Sequence, residues 1–160
     1  MIASSKGGIW LLSSGLQSSF KKEEHKFGCL CCGMDEIDVR LIDALEKYRK
    51  VAKSNFLVTN SCRCPAHNKE EGGSDTSLHL PITLAADIQD VKAAVDKLFF
   101  HAVTIFNGVG LYMGKYGPYL HVDLREKKTY WYKGKGYNYF TSPKECYDLY
   151  AKHFKITKKA

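Results

Sequence analysis

"NGVGLYMGKYGPYLHVDLREKKTYWYK", from Asn107 to Lys133, reads as three short strands. NGVGLYM, PYLHVDL and KTYWYK are alternating or aromatic-rich runs, and GKYG and REKK part them as turns. The stretch predicts a three-strand antiparallel meander. Helical patterns flank it. Upstream, DVRLIDALEKYRKVA sets Val39, Ile42, Leu45, Tyr48 and Ala52 on one face, behind Asp38 as N-cap. QDVKAAVDKLFFHA predicts a second helix with Val91, Ala94, Val95 and Leu98 facing inward. Downstream, Ser142 as N-cap, Pro143 at the first helical position and Glu145 three after the cap make a capping box. NFLVTN (55–60) predicts a buried strand, and 61–76, with its Pro, Gly-Gly, Asn and Asp, a loop. Segregated helices and antiparallel strands give an α+β class: a small antiparallel sheet with helices packed around it.

At 160 residues the chain is long enough for one domain with a genuine core. It contains no run of about twenty apolar residues, so the sequence offers no membrane span. Residues 1–19 are expected to form a partly ordered leader, because their apolar patch is too short and glycine-broken for a secretory signal. The domain then occupies 20–160, with 132–160 as a C-terminal extension carrying the short helix. A net charge of +7 favours a polyanionic neighbour, either nucleic acid or an anionic bacterial wall. KKTYWYKGKGYNYF interleaves lysine with tyrosine as base-stacking surfaces do, yet a hairpin with a solvated basic edge explains it as well. Nucleic acid is therefore not the expected partner. The basic run from Lys152 onward reads as a solvated tail.

Five of the six cysteines cluster, in GCLCCG (Cys29, Cys31, Cys32) and SCRCP (Cys62, Cys64). The spacing is irregular for a zinc ribbon, which needs two separated C-x-x-C knuckles. A second, structural metal held by Cys29, Cys31, Cys32 and Cys64 is one reading; reduced thiols near a shared core are the other. Cys146 stands alone and is expected to pack.

SLHLPITLAADI (Ser77–Ile88) ends a greasy stretch on a carboxylate, Asp87, eight positions after His79. A buried carboxylate requires a cation, a set of donors or a metal. With His121 of YLHVDL, these residues supply two imidazoles and a carboxylate, the ligand set of many catalytic zinc sites. Zinc there would compensate Asp87 and bring the pKa of a bound water to about 7.

NSCRCPAHNKEEGGSDTSLHLPITLAADI and GVGLYMGKYGPYLHVDLR together resemble the ordered motifs of the zinc D-alanyl-D-alanine carboxypeptidase and L-alanyl-D-glutamate endopeptidase family. FGCLCCGMDEIDVRLIDALEKYR is similar to the cysteine-bearing lead-in of its phage-type members, and the match runs over roughly Phe20 to Trp131. The resemblance implies a small metallopeptidase fold shared with the hedgehog signalling domain. It also implies Zn2+ on His79, Asp87 and His121, and cleavage of bacterial peptidoglycan stem peptides. Arg63 matches the family arginine that faces substrate, where it would pair a carboxylate or steady an oxyanion. Ser77 matches the serine two before the first ligand, a hydrogen bonder behind the metal. A monomer made in the cytoplasm and acting at the wall, as a phage or prophage lysin does, is the corresponding expectation.

Three departures from the family pattern bear on this. The usual His-to-Asp spacing is seven with a glycine between; here it is eight without one. In a strand, one added residue turns the carboxylate to the other face, so a bulge around Pro81 is expected. Pro118 stands where many relatives carry an acidic general base three before the last histidine. Asp123, two after His121, becomes the candidate base, with orientation of His121 as its rival role. Finally, NSCR replaces SGYR at 60–63, which leaves a non-catalytic module of the same fold as the alternative function.

Overall fold

The computed structural model describes residues 1–157 and resolves the chain into two sheets and four helices. In chain order the elements are β1 (Ser5–Lys6), β2 (Ile9–Leu11), β3 (Gln17–Lys21), α1 (Val39–Ala52), β4 (Leu57–Asn60), α2 (Pro65–Glu70), β5 (Ala85–Gln89), α3 (Val95–Ala102), β6 (Gly108–Gly114), β7 (Gly117–Asp123), β8 (Thr129–Lys133), β9 (Tyr137–Phe140) and α4 (Pro143–His153). Strands β1-β2-β3 make a small antiparallel sheet, and the other six make a mixed sheet in the order β4-β5-β7-β6-β8-β9. The class is α+β.

Alternation along the strands divides the large sheet into two unlike faces. Val58, Ala86, Ile88, Leu120, Val122, Val109, Leu111 and Tyr130 all point into one hydrophobic core with Leu41, Ile42, Leu45 and Phe99 from α1 and α3. The intervening positions put Asp87, His121, Asp123, Gly108, Gly110 and Trp131 on the opposite face. The apolar face therefore fixes the register, and the register delivers the polar residues together on the other side. Asp38 caps α1 as expected, its carboxylate accepting the Arg40 N–H, and Ser142 caps α4 through the Glu145 N–H.

Several expectations are corrected. The segment read as a partly ordered leader supplies most of the three-stranded sheet, and its Trp10 is buried in the core against Phe27, which also packs on Phe20. Short strands with single aromatic anchors carry little periodic signal. Residues 61–76 contain a helix, α2, started by Pro65 and capped by the Cys64 sulfur. The second predicted helix begins only at Val95, because Asp90 accepts the N–H groups of Lys92 and Ala93 and holds them in a turn. Val91, expected inward, is 70% exposed.

The meander is only half right. Strands β6 and β7 form the expected hairpin, but β8 pairs with β6 in parallel rather than with β7. The far edge of β7 is already taken by β5, so β8 adds on the other side. Strand β9 then pairs with β8 as an antiparallel hairpin, and α4 packs behind it, with the Tyr150 hydroxyl donating to the Tyr112 carbonyl. The C-terminal extension thus completes the sheet. Of the basic tail, Ile156 packs on the core, while residues 158–160 lie outside the described residues.

Phe20 tests whether the small sheet belongs to the core. It is fully buried among Phe27, Phe56 and the His25 ring. Phe20→Ala is expected to cost about 3–5 kcal/mol, a fall in Tm of roughly 10 °C or more for a chain of this size. Thermal unfolding followed by circular dichroism checks it. A loss within a degree or two would mean that the segment is an ornament.

Candidate metal centre

His79, Asp87 and His121 meet on the polar face of the large sheet, their donor atoms all within 4.8 Å of one another. Asp87 and His121 are directly opposed partners on β5 and β7. His79 comes from a closed turn, not a strand. Leu80 N–H donates to the Ser77 carbonyl, Leu84 N–H to the Leu78 carbonyl, and the Thr83 hydroxyl to the carbonyls of His79 and Leu80. The strand-parity problem raised by the eight-residue spacing therefore does not arise. The expected strand bulge is replaced by this turn, which carries the extra residue.

The three donors stand at a metal's spacing. His121 Nδ1 lies 3.1 Å from His79 Nε2 and 3.1 Å from Asp87 Oδ1, and His79 Nε2 lies 3.6 Å from the same oxygen. Zinc bonds of 2.0–2.1 Å in tetrahedral array separate ligand atoms by ~3.3 Å, so the set fits that ion. Both imidazoles are also presented in the right tautomer. His79 Nδ1–H donates to the Ser61 carbonyl at 2.6 Å, and His121 Nε2–H donates to Asp123 at 2.8 Å. Each turns its other nitrogen toward the cluster, the arrangement metal-binding histidines need.

The electrostatics follow from these contacts. Burial alone would raise the Asp87 carboxyl, but the charge of His79 and the hydrogen bond from His121 outweigh it and hold it well below the usual range. Asn60 donates to Asp87 Oδ2 at 2.9 Å, and the Arg63 guanidinium sits 3.7 Å from that oxygen. Burial would lower His121, yet its bonds to Asp123 and Asp87 raise it to about 9.

Asp123 is completely buried, and both of its oxygens are engaged. Oδ2 accepts from His121 and from Arg125 Nη2 at 2.6 Å, while Oδ1 accepts the Arg125 N–H and Nε–H. Its carboxyl, which burial would raise, is held far down by His121 and Arg125. Ser77 bonds the backbone of the first ligand, its hydroxyl accepting the His79 N–H, rather than the imidazole. Arg63 is tied in twice, since its own N–H donates to the His79 carbonyl at 2.7 Å.

Sequence reasoning passed over five participants. Arg125 carries the alternation of His121 and Asp123 two residues past the end of β7, a period-two signal that could have found it. Asn60 was noted only as a departure from a motif. Trp131 lies 5.3 Å from the His121 ring and 4.6 Å from the Arg125 guanidinium, and its indole N–H donates to the Tyr112 hydroxyl. Gly110 makes that possible, because a Cβ there would meet the indole at 2.5 Å. A Cβ at Gly108 would likewise strike the Asp123 carboxylate and the Arg125 guanidinium.

The cysteines gather too. The sulfurs of Cys29, Cys31, Cys32 and Cys64 lie within 4.8 Å of one another. His67 sits on α2 with Nδ1 3.3 Å from the Cys29 sulfur. Cys62 and Cys146 are buried apart from this group, and no described cysteine is in a disulfide.

Two imidazoles and one carboxylate converging on the polar face of an α+β domain's sheet offer the three-ligand set that catalytic zinc centres use. The family model described as Peptidase M15 matches residues 14–123, most of the chain, and the chain belongs to that family. Its members are zinc-dependent, so the class narrows to zinc metallopeptidase. No curated protein and no solved structure matches the chain. The matched span ends at Asp123, so β8, β9 and α4 lie beyond it.

Proposed function

We propose that this protein hydrolyses peptide bonds in bacterial peptidoglycan, as a D,D-carboxypeptidase or stem-peptide endopeptidase of the kind found in phage lysins. The observation that carries the reading is the His79–Asp87–His121 cluster with Arg63 beside it. The fold expected with it is the hedgehog-like arrangement that the motif resemblance implies.

His79, Asp87 and His121 would hold the zinc, which when bound supplies Lewis-acid polarisation of a carbonyl and a more acidic water. The chain's own residues prepare that site. The Ser61 carbonyl and Asp123 keep the ring protons on the outward nitrogens of His79 and His121. Asn60 steadies the Asp87 oxygen that faces away from His121. Arg63, partly buried and next to the cluster, offers a planar pair of donors to a stem-peptide carboxylate or a developing oxyanion. Asp123, buried and with both oxygens engaged, orients His121.

The test is incubation of purified protein with peptidoglycan, followed by assay of new amino groups and mass analysis of the released fragments. New amino groups that vanish on chelation and return with zinc support the reading, and the fragments identify the bond cut. Arg63→Ala is expected to raise KM about tenfold or more, the loss of one charge-assisted bond of ~1.5–3 kcal/mol, while zinc content stays unchanged. Equal hydrolysis with and without a strong chelator would sink the proposal.

One observation favours a second reading, a wall-peptide-binding module that retains the metal without cutting. Pro118 occupies the position of the usual acidic base, and Asp123 has no free oxygen. That reading predicts zinc and stem-peptide binding with no amino-group release.

The expected action at the wall after cytoplasmic synthesis is part of this proposal. No described helix is long and apolar enough to cross a membrane.

A further inference from the structure

We propose that Cys29, Cys31, Cys32 and Cys64 form a second metal site, a structural tetrathiolate centre for zinc that is separate from the histidine cluster. Four observations converge on it.

The first is spacing. Cys31 Sγ lies 3.4 Å from Cys29 Sγ and 3.3 Å from Cys64 Sγ, and all four sulfurs fall within 4.8 Å of one another. Zinc–sulfur bonds of 2.3 Å in tetrahedral array place sulfurs ~3.8 Å apart. Four thiols at this separation are too distant for disulfides and suitably placed to share one ion.

The second is backbone shape. Cys29 to Gly33 is a tight turn in which the Gly33 N–H donates to the Cys29 carbonyl, and the Cys29 N–H donates to the Met34 carbonyl. Gly33 has φ of +76°, a conformation that favours glycine. The turn aims three sulfurs at one point from four successive residues. The fourth sulfur arrives from the N-cap of α2, on Cys64.

The third is charge. Four thiolates around a dication leave a net negative centre, which needs N–H donors. The Cys64 N–H points at the Cys29 sulfur and the His67 N–H at the Cys64 sulfur, both at 3.4 Å. His67 Nδ1 adds a third contact, 3.3 Å from the Cys29 sulfur. With Nδ1 as the donor, His67 takes a supporting place rather than a ligand's.

The fourth is location. Residues 27–34 have no regular secondary structure, and they are tied to the rest of the fold at this point, where the Cys62 N–H also donates to the Phe27 carbonyl. Cys64 follows Arg63, whose N–H holds the His79 carbonyl. A metal here would pin the strand-to-helix corner that carries both Arg63 and the support of the first histidine. The proposal does not rest on the peptidase reading.

The full-length protein, prepared under reducing conditions, provides the test. Elemental analysis is expected to give two zinc ions per chain, falling to one in Cys31→Ser/Cys64→Ser and to one in His79→Ala/His121→Ala. Cobalt(II) supplied to the zinc-free His79→Ala/His121→Ala protein is expected to produce the near-ultraviolet thiolate-to-cobalt charge-transfer band. The histidine cluster has no sulfur and cannot produce it, so this readout survives even if the histidine centre proves not to bind metal. It also survives if the cysteine variant fails to fold. Absence of that band overturns the proposal. So does an intact mass showing a disulfide between Cys31 and Cys64, or native thiols that alkylate equally fast with and without zinc.

Discussion

Asp87→Asn is expected to remove one zinc equivalent per chain and to lower kcat/KM by at least about 1000-fold, ~4 kcal/mol of transition-state stabilisation. The substitution preserves the size of the side chain and removes only its charge. In the native centre Asp87 Oδ1 faces both imidazoles, and Asn60 and Arg63 satisfy Oδ2. An amide turned one way loses the anionic ligand; turned the other, it aims an N–H₂ at the metal. Two neutral imidazoles remain, too few to complete a catalytic zinc site. His121→Ala should behave alike by a different route, deleting the ligand and leaving Asp123 with only Arg125. Ser77→Ala is the control, since its hydroxyl touches only the His79 backbone N–H. Zinc analysis and amino-group release on the same samples settle the matter. An Asp87→Asn protein with full zinc content and unimpaired hydrolysis would mean that this cluster is not the active centre.

Much of this centre was readable because local rules decide it. The apolar positions of β5 and β7 alternate with Asp87 and His121, so burying Ala86, Ile88, Leu120 and Val122 forces those two side chains out on one face. The helix of Val39–Ala52 and the capping box at Ser142 were legible for the same reason: each signal lies within a few residues. What the sequence concealed depends on distant segments. Nothing within KTYWYK says that its partner is β6 rather than β7, because that choice is made by β5 occupying the other edge. His79 was misread as a strand residue because LHLPITL is apolar enough for either state; only the hydrogen bonds that close its turn decide it. Trp10 reads as part of a leader because its partner, Phe27, lies on a segment folded against it from elsewhere. Asp123 shows a further limit. Its type and spacing suited a base, but only burial and a count of its bonds show that no oxygen is left to accept a proton.

Asp123→Asn is accordingly expected to unfold more easily, by about 3–5 kcal/mol, the cost of breaking a buried ion pair by removing one member. The carboxylate accepts from four sides: His121 Nε2–H, and the N–H, Nε–H and Nη2–H of Arg125. An amide offers one oxygen. Whichever way it turns, its N–H₂ group faces either the Arg125 guanidinium or the His121 ring proton, donor against donor. Gly108 packs so closely on this carboxylate that the side chain has no room to swing away. The isosteric change should therefore be nearly as harmful as Asp123→Ala. A second effect separates orientation from proton transfer. If Asp123 sets the tautomer of His121, zinc affinity falls about 10- to 100-fold, and added zinc restores much of the activity. Were Asp123 the base, zinc affinity would hold, hydrolysis would stay lost at saturating zinc, and the acidic limb of the pH–rate profile would disappear. Zinc titration with a chelating indicator, urea unfolding and a pH profile on this one variant distinguish the two. Arg125→Met extends the comparison, since it strips the other partner from the buried carboxylate and should weaken zinc binding without touching any group that faces the metal.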